Sequence, residues 1–385
     1  MLIVLLLLLI GTCSINAEEK SAVSFSGQVA AWQAVQFADP SLWLSGGRFV
    51  PELKAHRTAA NGAQWDMEAS LALSGNLFWS DTTDPDLSGL LKPYRVWMRY
   101  ATRQWEVRAG LQKLNFGSAK MLRPLMWFDG MDIRDPLQLT DGVYGVLGRY
   151  YFDSNATLWL WTLAGNHQPK GYELAGTARW KPEAGGRMQL PAGPGELALS
   201  YHHRRVNPAV NHLNLNTNKA SLPENRLGID GKWDVGVGLW VEASMTALKK
   251  DATSPALLPA RTDMINLGAD YTVPVGNGLG LTLEYFRYHA GDRFFTDGAS
   301  AQVIASMISY PVSLLDNLSL MVFYVPTPDK KLWMNYLSWG RSYDNLSVYL
   351  IGFLNPTDYS LPVMPSQGRN IFAGKGMQLM ISYNF

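Results

Sequence analysis

Arginine recurs at intervals that period-two counting puts on one side of a series of extended segments: Arg95, Arg99, Arg108, Arg149, Arg179, Arg204 and Arg226, followed by Lys232. A second charged set gathers between Gly117 and Gly142, where Lys120, Arg123, Asp129, Asp132, Arg134, Asp135 and Asp141 fall close together. Guanidinium groups stay charged at any physiological pH and bind carboxylates and phosphates through a planar fork, so a row of them suits electrostatic selection better than proton transfer. A basic ladder facing the acids Asp129, Asp132 and Asp135 would set a transverse field across a narrow wet passage and sort solutes by size, charge and dipole. The plainer reading is mutual neutralisation, in which Glu106, Glu173, Glu196, Asp230, Glu242 and Asp270 pair with the bases and merely solvate a polar interior.

Bond-making chemistry finds little to work with. The cluster His202-His203-Arg204-Arg205 has catalytic residue types, and Ser200 shares a strand face with His202, but no orienting carboxamide accompanies them in the segment. Adjacent histidines on a strand point to opposite faces and cannot share a metal ion without a bulge. No catalytic residue, metal site or cofactor is therefore expected. A net charge of +1 with 17% charged residues gives no reason to expect nucleic acid as a partner.

The N-terminus reads as a leader. Leu2 to Ile10 is an unbroken apolar run, too short to span a membrane as a helix, and small residues precede Glu18-Glu19. Cleavage after Ala17 makes residues 1–17 a signal peptide and 18–385 a single domain. Lipoprotein processing at Cys13 is the alternative, to which Ile-Gly-Thr-Cys is a poor match. With the leader removed no cysteine remains, which excludes disulfides and Cys-type metal sites.

The elements that must position the charges are strands. Hydrophobic residues make up 47% of the chain, yet beyond the leader none of the apolar runs approaches a spanning helix. They alternate instead. Trp65, Met67, Ala69, Leu71 and Leu73 oppose Asp66, Glu68, Ser70 and Ser74; Tyr94, Val96, Met98 and Tyr100 oppose Arg95 and Arg99; Trp105, Val107 and Ala109 oppose Glu106 and Arg108. One apolar and one charged face per segment is the arrangement of a closed antiparallel transmembrane β-barrel, an all-β fold in which only the lipid side must be apolar. Outer-membrane lipid is then the surrounding partner.

Segments of this kind begin near Val23, Arg48, Trp65, Tyr94, Trp105, Val143, Ala156, Tyr172, Glu196, Arg226, Val237, Thr262, Leu279, Gln302, Leu318, Leu332, Leu346 and Met377, which predicts about eighteen strands. The dyad is weak at Ala156, Gln302 and Leu346, so about sixteen is the alternative. Tight turns alternate with longer links at 81–92, 116–142, 164–171, 207–223, 251–260, 291–300 and 356–373, with 182–194 too long for its place. Trp65, Tyr100, Trp105, Trp180 and Trp233 suit interfacial girdles.

The closing segment, Met377 to Phe385, resembles the last strand of bacterial outer-membrane barrels, in which a terminal aromatic is part of the signal read by the barrel-assembly machinery. The resemblance makes Tyr383 and Phe385 the assembly signal and places the chain in the outer membrane of a Gram-negative cell. It also makes the 117–142 link the third external loop, which in porins commonly folds inward as a constriction. The run Gly110-Leu111-Gln112-Lys113-Leu114-Asn115-Phe116-Gly117, continuing through Arg123-Pro124-Leu125-Met126-Trp127 to Asp141-Gly142, is similar to alginate-export-type barrels. That likeness implies a basic pore passing an acidic polysaccharide, with Arg123, Arg95, Arg99, Arg108 and Arg149 as contacts. The acids of the loop and the near-zero net charge depart from it. The expectation is a passive porin-like channel for a small polar solute or saccharide. Export of polysaccharide and a structural role in an envelope complex are its rivals, and a homo-trimer is an assembly common among porins.

Overall fold

The computed structural model describes residues 20–80, 82–208, 221–250, 254–255, 257–327, 330–357 and 371–385; the leader over 1–17 lies outside them. Among the described residues every regular element is a strand, and there are eighteen. They are β1 (Lys20–Gln36), β2 (Leu42–Thr58), β3 (Gln64–Ser80), β4 (Thr83–Ala101), β5 (Trp105–Gln112) and β6 (Val143–Tyr151). There follow β7 (Thr157–Leu163), β8 (Glu183–Ala192), β9 (Gly195–Val206), β10 (Leu222–Asp234), β11 (Gly238–Leu248) and β12 (Arg261–Val273). The last third comprises β13 (Leu279–Gly291), β14 (Gly298–Pro311), β15 (Asp316–Pro326), β16 (Lys331–Ser342), β17 (Leu346–Leu354) and β18 (Lys375–Asn384).

Each strand pairs antiparallel with its successor, and β1 pairs with both β2 and β18, so the sheet closes. Closure leaves no unpaired edge, the condition for placing a sheet in hydrocarbon. On β18, Gln378, Met380 and Ser382 are buried toward the lumen, whereas Met377, Leu379, Ile381 and Tyr383 are 41–46% exposed on the outer face. Two aromatic levels bound the outer face. Trp65 meets Tyr100 at 4.6 Å and Tyr100 meets Trp105 at 5.2 Å, while Trp43 stacks on Trp79 at 5.2 Å. From Trp65 to Trp79 a tilted strand rises roughly 30–35 Å, about the thickness of a bilayer core. Between them the outward residues of β3 are Met67, Ala69, Leu71, Leu73, Gly75 and Leu77.

The connections sort by end. One end holds only short turns, at 59–63, 102–104, 152–156, 193–194, 235–237, 274–278, 312–315 and 343–345; the other holds the long links 113–142, 164–182, 207–221, 249–260 and 355–374. Two expected positions are corrected. Strand eight is Glu183–Ala192 and does not start near Tyr172, so the over-long link at 182–194 is itself strand plus turn. Gly185, Gly186 and Pro191 mask its dyad, although Glu183 and Arg187 face inward. Gly185 is required there: a Cβ would stand 2.7 Å from the Trp161 indole of β7. Arg179 and Trp180 consequently lie exposed in the 164–182 link, the guanidinium 5.7 Å from the neighbouring ring, and neither occupies a strand.

The second correction concerns 81–92, which is mostly strand. Ser70 pairs with Arg95 and Leu71 with Pro93, so Tyr94 is an extra residue in a β-bulge. The bulge brings Tyr94 inside, against the Arg95 guanidinium at 4.1 Å, and it shifts the alternation of everything N-terminal to it. That phase shift is why 83–92 does not continue the pattern visible from Arg95 onward.

Candidate functional site

The 113–142 link, third at the long-loop end and here termed loop 3, enters the barrel and crosses it. Its Leu114, Phe116, Leu125, Trp127 and Phe128 pack on Val143 and Leu147 of β6 and Trp161 and Leu163 of β7. Its Met121 and Leu122 join a cluster on the opposite wall that includes Met264, Phe286, Phe323, Met334, Tyr336 and Phe353. Each such large side chain contributes roughly 1.5–3 kcal/mol on burial, so the loop is a packed element and not a tether.

Two inward carboxylates hold it. Glu242 of β11 accepts from the backbone N–H of Ala119 at 2.9 Å and Leu125 at 2.6 Å. Glu284 of β13 accepts from the N–H groups of Lys120, Met121 and Leu122 at 2.6, 3.1 and 2.8 Å. Asn266 of β12 stands between, donating to the Leu122 carbonyl at 2.8 Å and to Glu284 at 3.0 Å. A hairpin of loop backbone thus finds its donors satisfied by carboxylates of the wall, which buried amides require. Trp127 donates to Ser244 of β11 at 3.0 Å, and Lys120 pairs with Asp270 of β12.

A second link folds in above it. Glu173, in the 164–182 link (loop 4), is gripped by Arg204 of β9 at 2.8 Å and Arg226 of β10 at 2.6 Å, and both arginines also bind Glu224. Tyr172 stacks on Phe286 at 5.6 Å, and the N–H of Gly171 donates to the Asp129 carbonyl at 2.9 Å, tying the two loops together. Burial pushes the Tyr172 phenol far above its usual value.

The arginines divide. Arg99 (β4), Arg108 (β5) and Arg149 (β6) come together on one wall around Glu106, which accepts from Arg99 at 3.3 Å and Arg149 at 2.9 Å. Asp66 continues the row by accepting from Arg99 at 2.7 Å and approaching His56 at 2.6 Å. Arg108 pairs across the strands with Arg99 and lies over Trp97 at 4.6 Å; among the described residues no carboxylate ion-pairs with it. Arg95 stands apart, buried, donating to the Thr140 carbonyl at 2.8 Å and so tying down the returning end of loop 3. Arg204 and Arg226 are consumed by the loop 4 clamp. Of the expected counter-charges, Asp230 pairs with Arg187, Glu196 accepts from Gln189, and Glu242 serves loop amides.

Nor do the loop acids face the ladder directly. Asp132 pairs with Arg134 of the same loop at 2.7 Å, and Asp135 reaches Arg48 of β2 at 3.5 Å. Asp129 is buried 3.7 Å from Arg123, and burial raises its carboxyl above the usual range. Asp141 behaves oppositely: burial pushes it up, but Lys170 and Lys92 outweigh that and hold it below the usual range. Arg123 donates to the Phe116 carbonyl at 3.0 Å and to Asn115, bracing the loop internally.

Sequence reasoning missed Glu284, Asn266 and Arg187, and it took Glu242 for a counter-ion. One signal was available: Glu284 is the single charge on the inward face of β13, between Thr282 and Phe286. At the other terminus, Phe385 exchanges backbone hydrogen bonds with Gly27, and its ring packs 5.6 Å from Phe25 and 6.1 Å from Phe49.

A closed eighteen-strand barrel with an apolar outer face, aromatic levels and an inward-folded third loop defines a porin-like β-barrel of the bacterial outer-membrane type. No family model matches the sequence, and no curated protein matches it. Solved structures share the fold. OccAB4 of Acinetobacter baumannii aligns with a TM-score of 0.57 at 11% identity, over 97% of this chain and 100% of its own. An anion-selective porin from Comamonas acidovorans aligns at 0.50 and 15% identity, over 95% and 100%. Wzi of Escherichia coli, a carbohydrate-binding barrel involved in group 1 capsule assembly, aligns at 0.55 and 11% identity, over 93% and 84%. At these identities the likeness is one of fold.

Proposed function

We propose that this chain is a passive outer-membrane channel for small polar or charged solutes, narrowed by loop 3 and biased by the arginines of β4–β6. The supporting observation is the five-amide grip of Glu242 and Glu284, which holds loop 3 across the lumen opposite Arg99, Arg108 and Arg149. A loop so held divides the lumen without depending on solute. The carboxylates ion-paired with these three guanidinium groups are two, Glu106 and Asp66, and Arg108 is left without one among the described residues, which favours anions at the narrow section. Planar-bilayer recording tests the reading: intact barrels should conduct, and the reversal potential in a KCl gradient should show anion preference. Replacing Arg99, Arg108 and Arg149 together by Gln should weaken that preference; an unchanged reversal potential rejects the ladder, and absence of current from a folded barrel rejects the channel.

A second reading is an envelope barrel that handles or anchors polysaccharide. The lumenal packing of two loops against the β12–β17 cluster supports it, because so filled an interior suits a scaffold as well as a conduit. Absence of current would favour it.

A further inference from the structure

Beneath loop 3, at the short-turn end, a cleft of about 550 Å³ separates the loop from β15–β17. Its groups differ in kind from the basic wall. Asn317 and Ser319 come from β15, Ser338 from β16, Tyr349 from β17 and Gln138 from the loop, with Met121, Ile133, Met307, Leu315, Met321 and Ile351 supplying a substantial apolar surface between them. The two cations at its margin are neutralised, Lys120 by Asp270 and Arg134 by Asp132. An anion would find no free positive charge here, and a hydrocarbon would strip water from hydroxyls and amides without replacing its hydrogen bonds. Groups that both donate and accept, set around an aromatic ring, match a pyranose: its hydroxyl rim meets Ser, Asn and Gln while its apolar face lies on the ring. The volume falls within the ~300–1,000 Å³ usual for small-molecule sites.

We propose that this cleft is a saccharide site, taking an uncharged mono- or disaccharide between Tyr349 and the Asn317–Ser319 row; the proposal rests on the channel reading and names one solute class for it. The test uses the mature barrel in planar bilayers, with maltose as the neutral probe and galacturonate as a charged one. Maltose should interrupt the KCl current saturably, and galacturonate should not compete. Tyr349→Ala and Asn317→Ala should each weaken the maltose block about fivefold, with sugar-free conductance and heat-modifiable migration retained. A decrease strictly linear in sugar concentration, or block unchanged in both variants, overturns the site. Should the barrel pass no KCl current, the channel reading fails by itself, and calorimetric titration with maltose then decides the cleft: heat lost in Tyr349→Ala upholds it, and no heat in the parent protein overturns it.

Discussion

Glu242 and Glu284 stand on β11 and β13 with one strand between them, and their carboxylates grip a single hairpin of loop 3 at its flanks and at its tip. Glu242 takes the N–H groups of Ala119 and Leu125, Glu284 those of Lys120 to Leu122. Neither carboxylate forms an ion pair with an arginine; loop amides satisfy both, and Asn266 donates in addition to Glu284. The barrel has thus turned two acids into fasteners, and the position of loop 3 becomes a property of the wall.

Glu284→Ala should therefore loosen the loop. Three amides lose their acceptor at a cost of about 3 kcal/mol, roughly one per donor. Single-channel conductance should rise and become noisier, while the temperature at which the folded band disappears in detergent gels should fall. Unaltered conductance would show that Glu242 and the packed apolar side chains hold loop 3 without Glu284.

Loop 4 depends on a different device. Glu173 is buried between Arg204 and Arg226, and removing one partner of a buried ion pair costs about 3–5 kcal/mol. Glu173→Gln should free the 164–182 link, and limited trypsin digestion should then cut after Lys170 several times faster than in the parent. Equal cleavage rates would place the hold on loop 4 in Tyr172 and Phe286 instead.

The carboxyls of Asp129 and Asp141 should respond to pH with opposite sign. Burial raises the folded-state pKa of Asp129, so its ionised form costs stability at neutral pH, a cost removed as pH falls through that raised value. Asp129→Asn should melt higher than the parent at pH 7.5, with the gap closing on acidification. Asp141 is held down by Lys170 and Lys92, so its contribution is present above the ordinary carboxylate range and lost as pH falls through the depressed value. Asp141→Asn should destabilise by about 1 kcal/mol at pH 7.5, a modest figure because the pair is solvent-screened. Melting curves at several pH values separate the two.

Phe385 fastens the end of the chain to β1 and β2. Phe385→Ala removes two aromatic contacts, each contributing about 0.5–1.5 kcal/mol, and should slow conversion to the heat-modifiable form in a refolding time course. If Phe385 is also an assembly signal, the defect should be larger in cells than in detergent refolding. Equal defects would reduce its role to packing.

Much of the fold was legible in the residues because the lipid side admits little choice. Wherever a strand faces hydrocarbon, every second residue must be apolar, and β3, β5 and β18 show that period without help from tertiary context. The strand count, the inward side of Arg99, Arg108 and Arg149, and the long third link all follow from the same constraint. The inner face is under no such rule. Where the clusters that include loop 3 form on it, as at Trp159 and Trp161 on β7, Val303 and Ala305 on β14 and Phe353 on β17, the inner side chains are as apolar as the outer ones, and the dyad fades.

Glycine and the bulge hid the rest. Gly185 and Gly186 left β8 unread, and Tyr94 reversed the phase of β4, because neither a missing side chain nor an extra residue shows as a period. What the sequence by itself determined is a membrane barrel with a charged lumen, since solvent on one side and lipid on the other act residue by residue. Which charges remain available in that lumen was decided only by tertiary structure. Glu242, Glu284 and Arg95 bind loop backbone, and Arg204 and Arg226 bind Glu173, across sequence separations that no local pattern encodes.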